Sequence, residues 1–211
     1  MTKVLILGAG GQIARHVISD FANDDRIDMT LFVRNARRLA DRPARASIVQ
    51  GDVLDRAVLD AAMAGQDMVY ANLTGDDLDD QARSVIASMQ AAGVKRLIFV
   101  LSLGIYDEAP GKFGAWNRRM IGEALKPFRR AGDAIEASGL DYTILRPAWL
   151  TDEDEINYET TAKGEPFKGT VVSRKSVAGL IAEIIRSPAA HIHANLGIDK
   201  PGTDADKPYF M

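Results

Sequence analysis

Three glycines, Gly8, Gly10 and Gly11, stand directly behind the apolar run Val4–Leu7. The spacing Gly8, Gly11, Ala14 fits G-x-x-G-x-x-[GA]; the more familiar G-x-G-x-x-G needs a small residue where Ile13 stands. Glycines between a first strand and helix let the chain turn sharply and let a pyrophosphate approach the backbone. The helix behind them offers free N–H groups and the positive end of its dipole. The alternative is a tight turn with no ligand. The position behind an N-terminal buried strand favours the phosphate reading, with Gly8, Gly10, Gly11, Gln12 and Ile13 as the contacting residues. No Gly-Lys-Ser/Thr follows, so the turn is not a P-loop.

The second strand carries an independent signal. A dinucleotide fold that prefers NAD usually ends this strand on Asp or Glu, which bonds the ribose 2′-OH. Here "MTLFV" at 29–33 runs into Arg34, followed by Asn35, Arg37 and Arg38. Guanidinium makes paired, charged hydrogen bonds to phosphate, so arginine at this point suits a 2′-phosphate. Arg34, directly at the strand end, is the principal candidate; Arg37 and Arg38 have the alternative of solvating a short helix. The expected cofactor is NADP, with NADPH preferred over NADH.

The elements that must position these residues alternate along the chain. Strands are predicted over Val4–Leu7, Met29–Val33, Ser47–Gln50, Met68–Asn72, Arg96–Leu101, Tyr142–Leu145 and Asn195–Ile198. Continuous apolar runs such as "LIFVL" at 97–101 suit strands covered on both faces, as in a parallel sheet. Between them lie helical patterns. In "DDLDDQARSVIASMQAAG", Leu78, Ala82, Val85, Ile86 and Met89 share a face, acids crowd the first turn and Gly93 ends the pattern. Strand–helix–strand repetition implies right-handed crossovers and an α/β, Rossmann-type, doubly wound parallel sheet. No composition shift marks a linker, so residues 1–211 are read as a single domain. The alternation weakens after Pro147, where residues around 148–170 form a small excursion on the substrate side, and "KPGTDADKPYFM" reads as a surface tail.

Composition excludes several classes of function. With 46% hydrophobic and 26% charged residues the chain can bury a core, and a net charge of −3 gives no reason to expect nucleic acid or an anionic membrane. The absence of cysteine removes disulfides, thiol nucleophiles and Cys-based zinc sites. No apolar run approaches the ~20 residues of a membrane helix. The N-terminus enters a strand by Val4 without a signal-peptide pattern, so a cytoplasmic protein is expected. His191 and His193 alternate but have no ligand-spaced carboxylate, and no metal site is expected. "TDEDE" at 151–155 reads as a solvated charge run.

Taken together, the segments resemble the atypical short-chain dehydrogenase/reductases, in particular the NAD(P)-binding NmrA-like and flavin-reductase-like branch. The resemblance runs from Lys3 to about Ile185. It is carried by the Gly8/Gly11/Ala14 turn, "LFVRN" at 31–35, "VQGDVLD" at 49–55, "AGQDMVYANLTG" at 64–75, "VKRLIFVLSLGIY" at 94–106 and "EASGLDYTILRPAWLTDE" at 136–153. It implies that Asp52 and Val53 border the adenine, and that Asn72, Leu73 and Thr74 lie beside the ribose and pyrophosphate. It further implies that Leu101 and Ser102 approach the nicotinamide ribose, and that Pro147, Ala148 and Trp149 flank the nicotinamide with backbone groups. All these positions end strands, where ligands of open α/β sheets bind.

The catalytic pattern departs from the family. Its Tyr-x-x-x-Lys pair, in which lysine lowers the tyrosine pKa, should fall near Ala124 or Leu125 and Phe128 or Arg129. No tyrosine of the chain has lysine four residues on. Ser102 and Tyr106, close together after the fifth strand, are the remaining candidate catalytic residues. Trp149, and less directly Trp116, are candidates to wall a substrate pocket. Two functions stay open: an NAD(P)H-dependent oxidoreductase acting on a small carbonyl, quinone or flavin-like substrate, or a non-catalytic NADP(H)-binding regulator or redox sensor of NmrA-like type.

Overall fold

The computed structural model describes residues 1–39 and 43–211, with the Arg38 side chain also outside the described set. The glycine turn joins β1 (Thr2–Leu7) to α1 (Gln12–Phe21). There follow β2 (Ile27–Val33), a 3-10 turn at Ala36–Arg38, β3 (Ser47–Gln50), α2 (Arg56–Met63), β4 (Met68–Ala71) and α3 (Leu78–Ala92). The second half holds β5 (Arg96–Val100), α4 (Gly111–Ile121), α5 (Leu125–Glu136), β6 (Asp141–Pro147), β7 (Trp149–Thr151), β8 (Glu159–Ala162), β9 (Val171–Ser173), α6 (Arg174–Arg186) and β10 (Ala194–Asp199).

Eight strands form one sheet in the order β3-β2-β1-β4-β5-β6-β10-β8. All pairs are parallel except the edge pair β10–β8. The architecture is the expected doubly wound α/β sheet. Strand alternation assigns the two faces. Val4 and Ile6 pack with α1 and α6 on one side, while Leu5 and Leu7 pack with α2, α3 and α5 on the other. Gly93 ends α3 in the left-handed conformation at φ 72°, as its position in the sequence predicts. The strand order reverses between β1 and β4, which opens a crevice at the carboxyl ends of these strands.

Past Pro147 the chain is more ordered than its sequence suggests. β7 and β9 pair in parallel as a separate two-stranded sheet, and β8 closes the main sheet as its antiparallel edge. The acidic run is not simply solvated. Asp152 meets Arg174 at 2.8 Å, Asp154 meets Lys175 at 2.5 Å, and Glu153 and Glu155 both meet Lys200 at 2.7 Å. The cations come from α6 and from the end of β10, far along the sequence, so local composition did not reveal the match. The C-terminal stretch is likewise tied down: Thr170 donates to the Thr203 carbonyl at 2.7 Å, Lys112 meets Asp206 at 3.0 Å and the Tyr209 hydroxyl bonds Glu153. Among the described residues, no helix is long and apolar enough to cross a membrane, and no group of three or more His, Asp or Glu residues is arranged to hold a metal ion.

Candidate functional site: the cleft at the strand ends

At the switch point lies a cleft of about 510 Å³. That size is within the range of small-molecule sites, about 300–1,000 Å³. Its floor is the glycine turn. Gly8 has φ +73°, a conformation that L side chains rarely adopt, and a Cβ there would overlap the Asn72 carbonyl. Gly11 N–H closes the turn onto the Gly8 carbonyl at 2.9 Å, and Gly11 caps α1 without a side-chain bond. The first helical bond is Arg15 N–H to the Gly11 carbonyl at 3.1 Å. The N–H groups of Gln12, Ile13 and Ala14 therefore have no partner among the described residues. They form an uncapped helix N-terminus at the cleft floor, which suits an anionic pyrophosphate.

The walls come from three strand ends. At the end of β2, Phe32, Val33, Arg34 and Asn35 line the cleft; after β3, Gly51, Asp52 and Val53 do; after β4, Asn72, Leu73 and Thr74 do. The Asn35 side chain accepts from Arg37 N–H at 3.0 Å and so starts the 3-10 turn that carries the backbone away behind Arg34. Asp52 Oδ1 accepts from Leu54 N–H at 3.0 Å, which fixes the carboxylate at the rim, and Val53 is buried beneath it. Asn72 N–H donates to the Leu7 carbonyl at 2.9 Å, so its side chain stands against the glycine turn.

Most residues predicted for the adenosine and pyrophosphate end are thus brought together: Gly8, Gly10, Gly11, Gln12, Arg34, Asp52, Val53, Asn72, Leu73 and Thr74 all line the cleft. Ile13 is placed differently. Its side chain is buried in the core, so its contribution there is its backbone N–H alone. Seven lining residues were not named as site residues from the sequence: Arg15, Phe32, Val33, Asn35, Gly51, Asp77 and Gln81. Arg15 follows Gln12 by three residues and shares its helix face, a signal open to sequence reading. Gly51 is needed because a Cβ would come within 2.9 Å of Phe32 and 2.6 Å of Val58, a tertiary approach with no local signature.

The residues predicted for the nicotinamide end stand outside the lining of this cleft. Leu101 is buried and donates its N–H to the Leu145 carbonyl at 2.7 Å. Among the described residues, Ser102 Oγ donates only to the adjacent Leu103 carbonyl, at 3.2 Å. The Pro147 carbonyl accepts from Leu103 N–H at 3.1 Å, Ala148 N–H donates to Ile198 at 2.9 Å and Trp149 N–H donates to Thr170 at 3.1 Å. The amides of Ala148 and Trp149 thus serve the fold itself. Trp149 Nε1 donates to Asn117 Oδ1 at 2.9 Å, and the Trp149 ring lies 4.9 Å from that of Trp116. The two tryptophans form one aromatic wall beside the end of β6.

Tyr106 does not face Ser102 through any hydrogen bond. Its hydroxyl accepts from Asn195 Nδ2 at 2.9 Å, and its ring lies against Lys163 Nζ at 4.2 Å and the Arg129 guanidinium at 4.8 Å. Burial, with Glu136 nearby, pushes the phenol up to about 12. This is the opposite of the activated tyrosine that the family's Tyr/Lys pair creates. Behind it runs a buried network. Arg146, fully buried, pairs with Glu108 and donates from Nε to Asn195 Oδ1 at 2.7 Å. The Glu108 carboxylate also accepts from Gly104 N–H at 3.0 Å and Tyr106 N–H at 2.9 Å. β6 therefore holds the loop after β5 by a buried ion pair and by the Pro147 carbonyl.

A doubly wound sheet, a glycine turn under an uncapped helix and a cleft at the switch point define a dinucleotide-binding protein. Residues 8–188 match the NAD(P)H-binding family, and the chain belongs to that family, as a protein of atypical short-chain dehydrogenase/reductase type. Among curated proteins it is 30% identical over 193 residues to the uncharacterized sugar epimerase YhfK of Bacillus subtilis, with 83% of this chain and 84% of that protein covered. It is 31% identical over 144 residues to (4-alkanoyl-5-oxo-2,5-dihydrofuran-3-yl)methyl phosphate reductase of Streptomyces griseus. There the match covers 68% of this chain and 46% of the reductase, so it spans about half of that protein's length. Among solved structures, a Rossmann-fold NAD(P)-binding family protein from Shigella flexneri is 62% identical, with full coverage of both chains and a TM-score of 0.88. A short-chain dehydrogenase/reductase from Veillonella parvula in complex with NADP is 25% identical over 99% of each chain, also with a TM-score of 0.88.

Proposed function

We propose that the chain is an NADPH-dependent oxidoreductase acting on a small carbonyl, quinone or flavin-like substrate. The observation that carries the cofactor choice is Arg34, exposed at the end of β2 and lining the cleft where an NAD-preferring fold carries a carboxylate. The reductase among its relatives and the NADP-bound neighbour support the same reading. Bound NADPH supplies a hydride. The chain's own residues hold the pyrophosphate at the α1 N-terminus, read the adenosine between Arg34 and Asp52, and turn the nicotinamide end towards Ser102 and the Trp116–Trp149 wall. The excursion over 148–170 is the substrate side. With no activated tyrosine, positioning contributes more than acid catalysis, and the proton comes from water, from the substrate or from Ser102.

A second reading, a non-catalytic NADP(H)-binding regulator, is favoured by the missing Tyr/Lys pair and by the engagement of Tyr106 with Asn195. NADPH oxidation screened over quinones, flavins and aldehydes separates the two. Turnover with any of these classes supports the enzyme; tight NADPH binding with no oxidation by any supports the regulator.

A further inference from the structure

Most arginines among the described residues stand against an acid, as in Arg26–Asp24 at 2.8 Å, Arg83–Asp79 at 2.8 Å and Arg129–Asp133 at 2.9 Å. Arg15 and Arg34 do not. Neither has an ion pair or a side-chain hydrogen bond among the described residues, and both line the same cleft. Arg37 and Arg119 are also unpaired, but they lie outside it. The acids of the cleft are better provided for. Asp52 accepts from Leu54 N–H at 3.0 Å, and Asp77 Oδ1 accepts from Gln81 Nε2 at 2.7 Å. The cleft thus presents two guanidinium groups with no ion pair among the described residues.

The two arginines come from different elements. Arg15 leaves α1 one turn beyond the glycine turn, on the cleft side with Gln12, while Ile13, Ala14, Val17 and Ile18 of the same helix are buried. Helix side chains lean towards the N-terminus, which carries the Arg15 head group back over the cleft rather than along the helix. Arg34 approaches from the end of β2, with Asn35 beside it. The pyrophosphate has the unpartnered N–H groups of Gln12, Ile13 and Ala14 beneath it, so it does not need Arg15 for its charge. A phosphomonoester carries about two negative charges and accepts bidentate guanidinium bonds on more than one edge.

We propose that Arg15 and Arg34 form a two-arginine cradle for the 2′-phosphate of the cofactor, which makes Arg15 a specificity-determining residue. The inference rests on the reading of the cleft as an NADPH site. Arg15 is exposed and outside the core, so its replacement leaves the fold intact. The test is titration of the full chain and of Arg15→Gln, Arg15→Lys and Arg34→Gln with NADPH, NADH and 2′,5′-ADP. The expected result is an affinity loss of about tenfold or more for NADPH and 2′,5′-ADP in Arg15→Gln, with NADH changed less than about twofold. Arg15→Lys, which keeps the charge, should recover part of the loss. Equal losses for NADPH and NADH would assign Arg15 to the pyrophosphate and overturn the proposal, and so would no loss for either. If the unmodified chain itself binds NADPH and NADH equally, the NADPH reading fails along with it. If it prefers NADPH but Arg15→Gln loses nothing selectively, only the role of Arg15 fails.

Discussion

Asn72 stands so close to Gly11 that a Cβ on the glycine would overlap its carboxamide nitrogen. The contact ties the glycine turn to the end of β4 and explains both residues at once. Gly11 has an ordinary backbone conformation, φ −73°, so the constraint on it is space and not strain. The Asn72 side chain itself lines the cleft, so making room for a Cβ on Gly11 disturbs the cleft wall. Gly11→Val should therefore fold with a near-normal melting temperature and lose NADPH affinity by about tenfold or more. Gly8 differs, because its positive φ and the Asn72 backbone carbonyl both oppose a Cβ. Gly8→Ala should cost stability of about 1–3 kcal/mol. Thermal melts with cofactor titration check both; unchanged affinity in Gly11→Val would make the turn purely structural.

Tyr106 tests the chemistry. Its phenol is pushed up to about 12 and stays protonated through neutral pH. Tyr106→Phe should change kcat by less than about tenfold, whereas loss of a general acid typically costs about 10²–10⁴-fold. The profile of kcat against pH from 6 to 9 should be unchanged in shape. A thousandfold fall at constant cofactor affinity would make Tyr106 the proton donor after all.

Glu108 and Arg146 form the buried pair that fixes the loop after β5. Glu108→Ala leaves a buried guanidinium uncompensated and removes the acceptor of two backbone N–H groups. Breaking such a pair costs about 3–5 kcal/mol. Urea denaturation should register that loss, with Glu108→Gln intermediate. A change below about 0.5 kcal/mol, the size of an ordinary surface substitution, would remove the pair from the account.

Asp199, fully buried at the end of β10, gives the fold a pH dependence. Its Oδ2 accepts from Gly169 N–H at 2.8 Å, its Oδ1 has no partner among the described residues, and burial with Glu159 nearby pushes the carboxyl up to about 6, against the opposing pull of Lys168. A carboxyl whose folded value lies above its unfolded one holds its proton more tightly when folded. Stability is therefore lost as pH rises from about 4 to about 6 and is flat above that window. Asp199→Asn removes this dependence and keeps an acceptor for Gly169. The variant should gain on the wild type by up to about 2 kcal/mol between pH 4 and pH 7. Parallel denaturation curves at both pH values would contradict it.

The parts of this molecule legible in the sequence are those whose cause is local. Runs such as Leu97–Val100 are apolar because both faces are covered, and the Gly8–Gly11 turn has its own spacing. What stayed hidden depends on distant partners. The match of "TDEDE" to Arg174, Lys175 and Lys200, the edge strand β8 and the burial of Arg146 against Glu108 have no signature in any short window. Arg15 lies between these cases: its helical register was visible, but its lack of an acid partner was not.

Arg34 at the end of β2 is expected to make the cleft an NADPH site. The most direct measurement is the dissociation constant of the unmodified protein for NADPH and for NADH, taken side by side with Arg34→Asp. One charge-assisted contact to the 2′-phosphate contributes about 1.5–3 kcal/mol, on the order of ten- to a hundredfold in affinity. The unmodified protein should favour NADPH by that factor, and Arg34→Asp should narrow or reverse the preference. Equal affinity for the two cofactors in the unmodified protein, or a preference that survives Arg34→Asp intact, would contradict it.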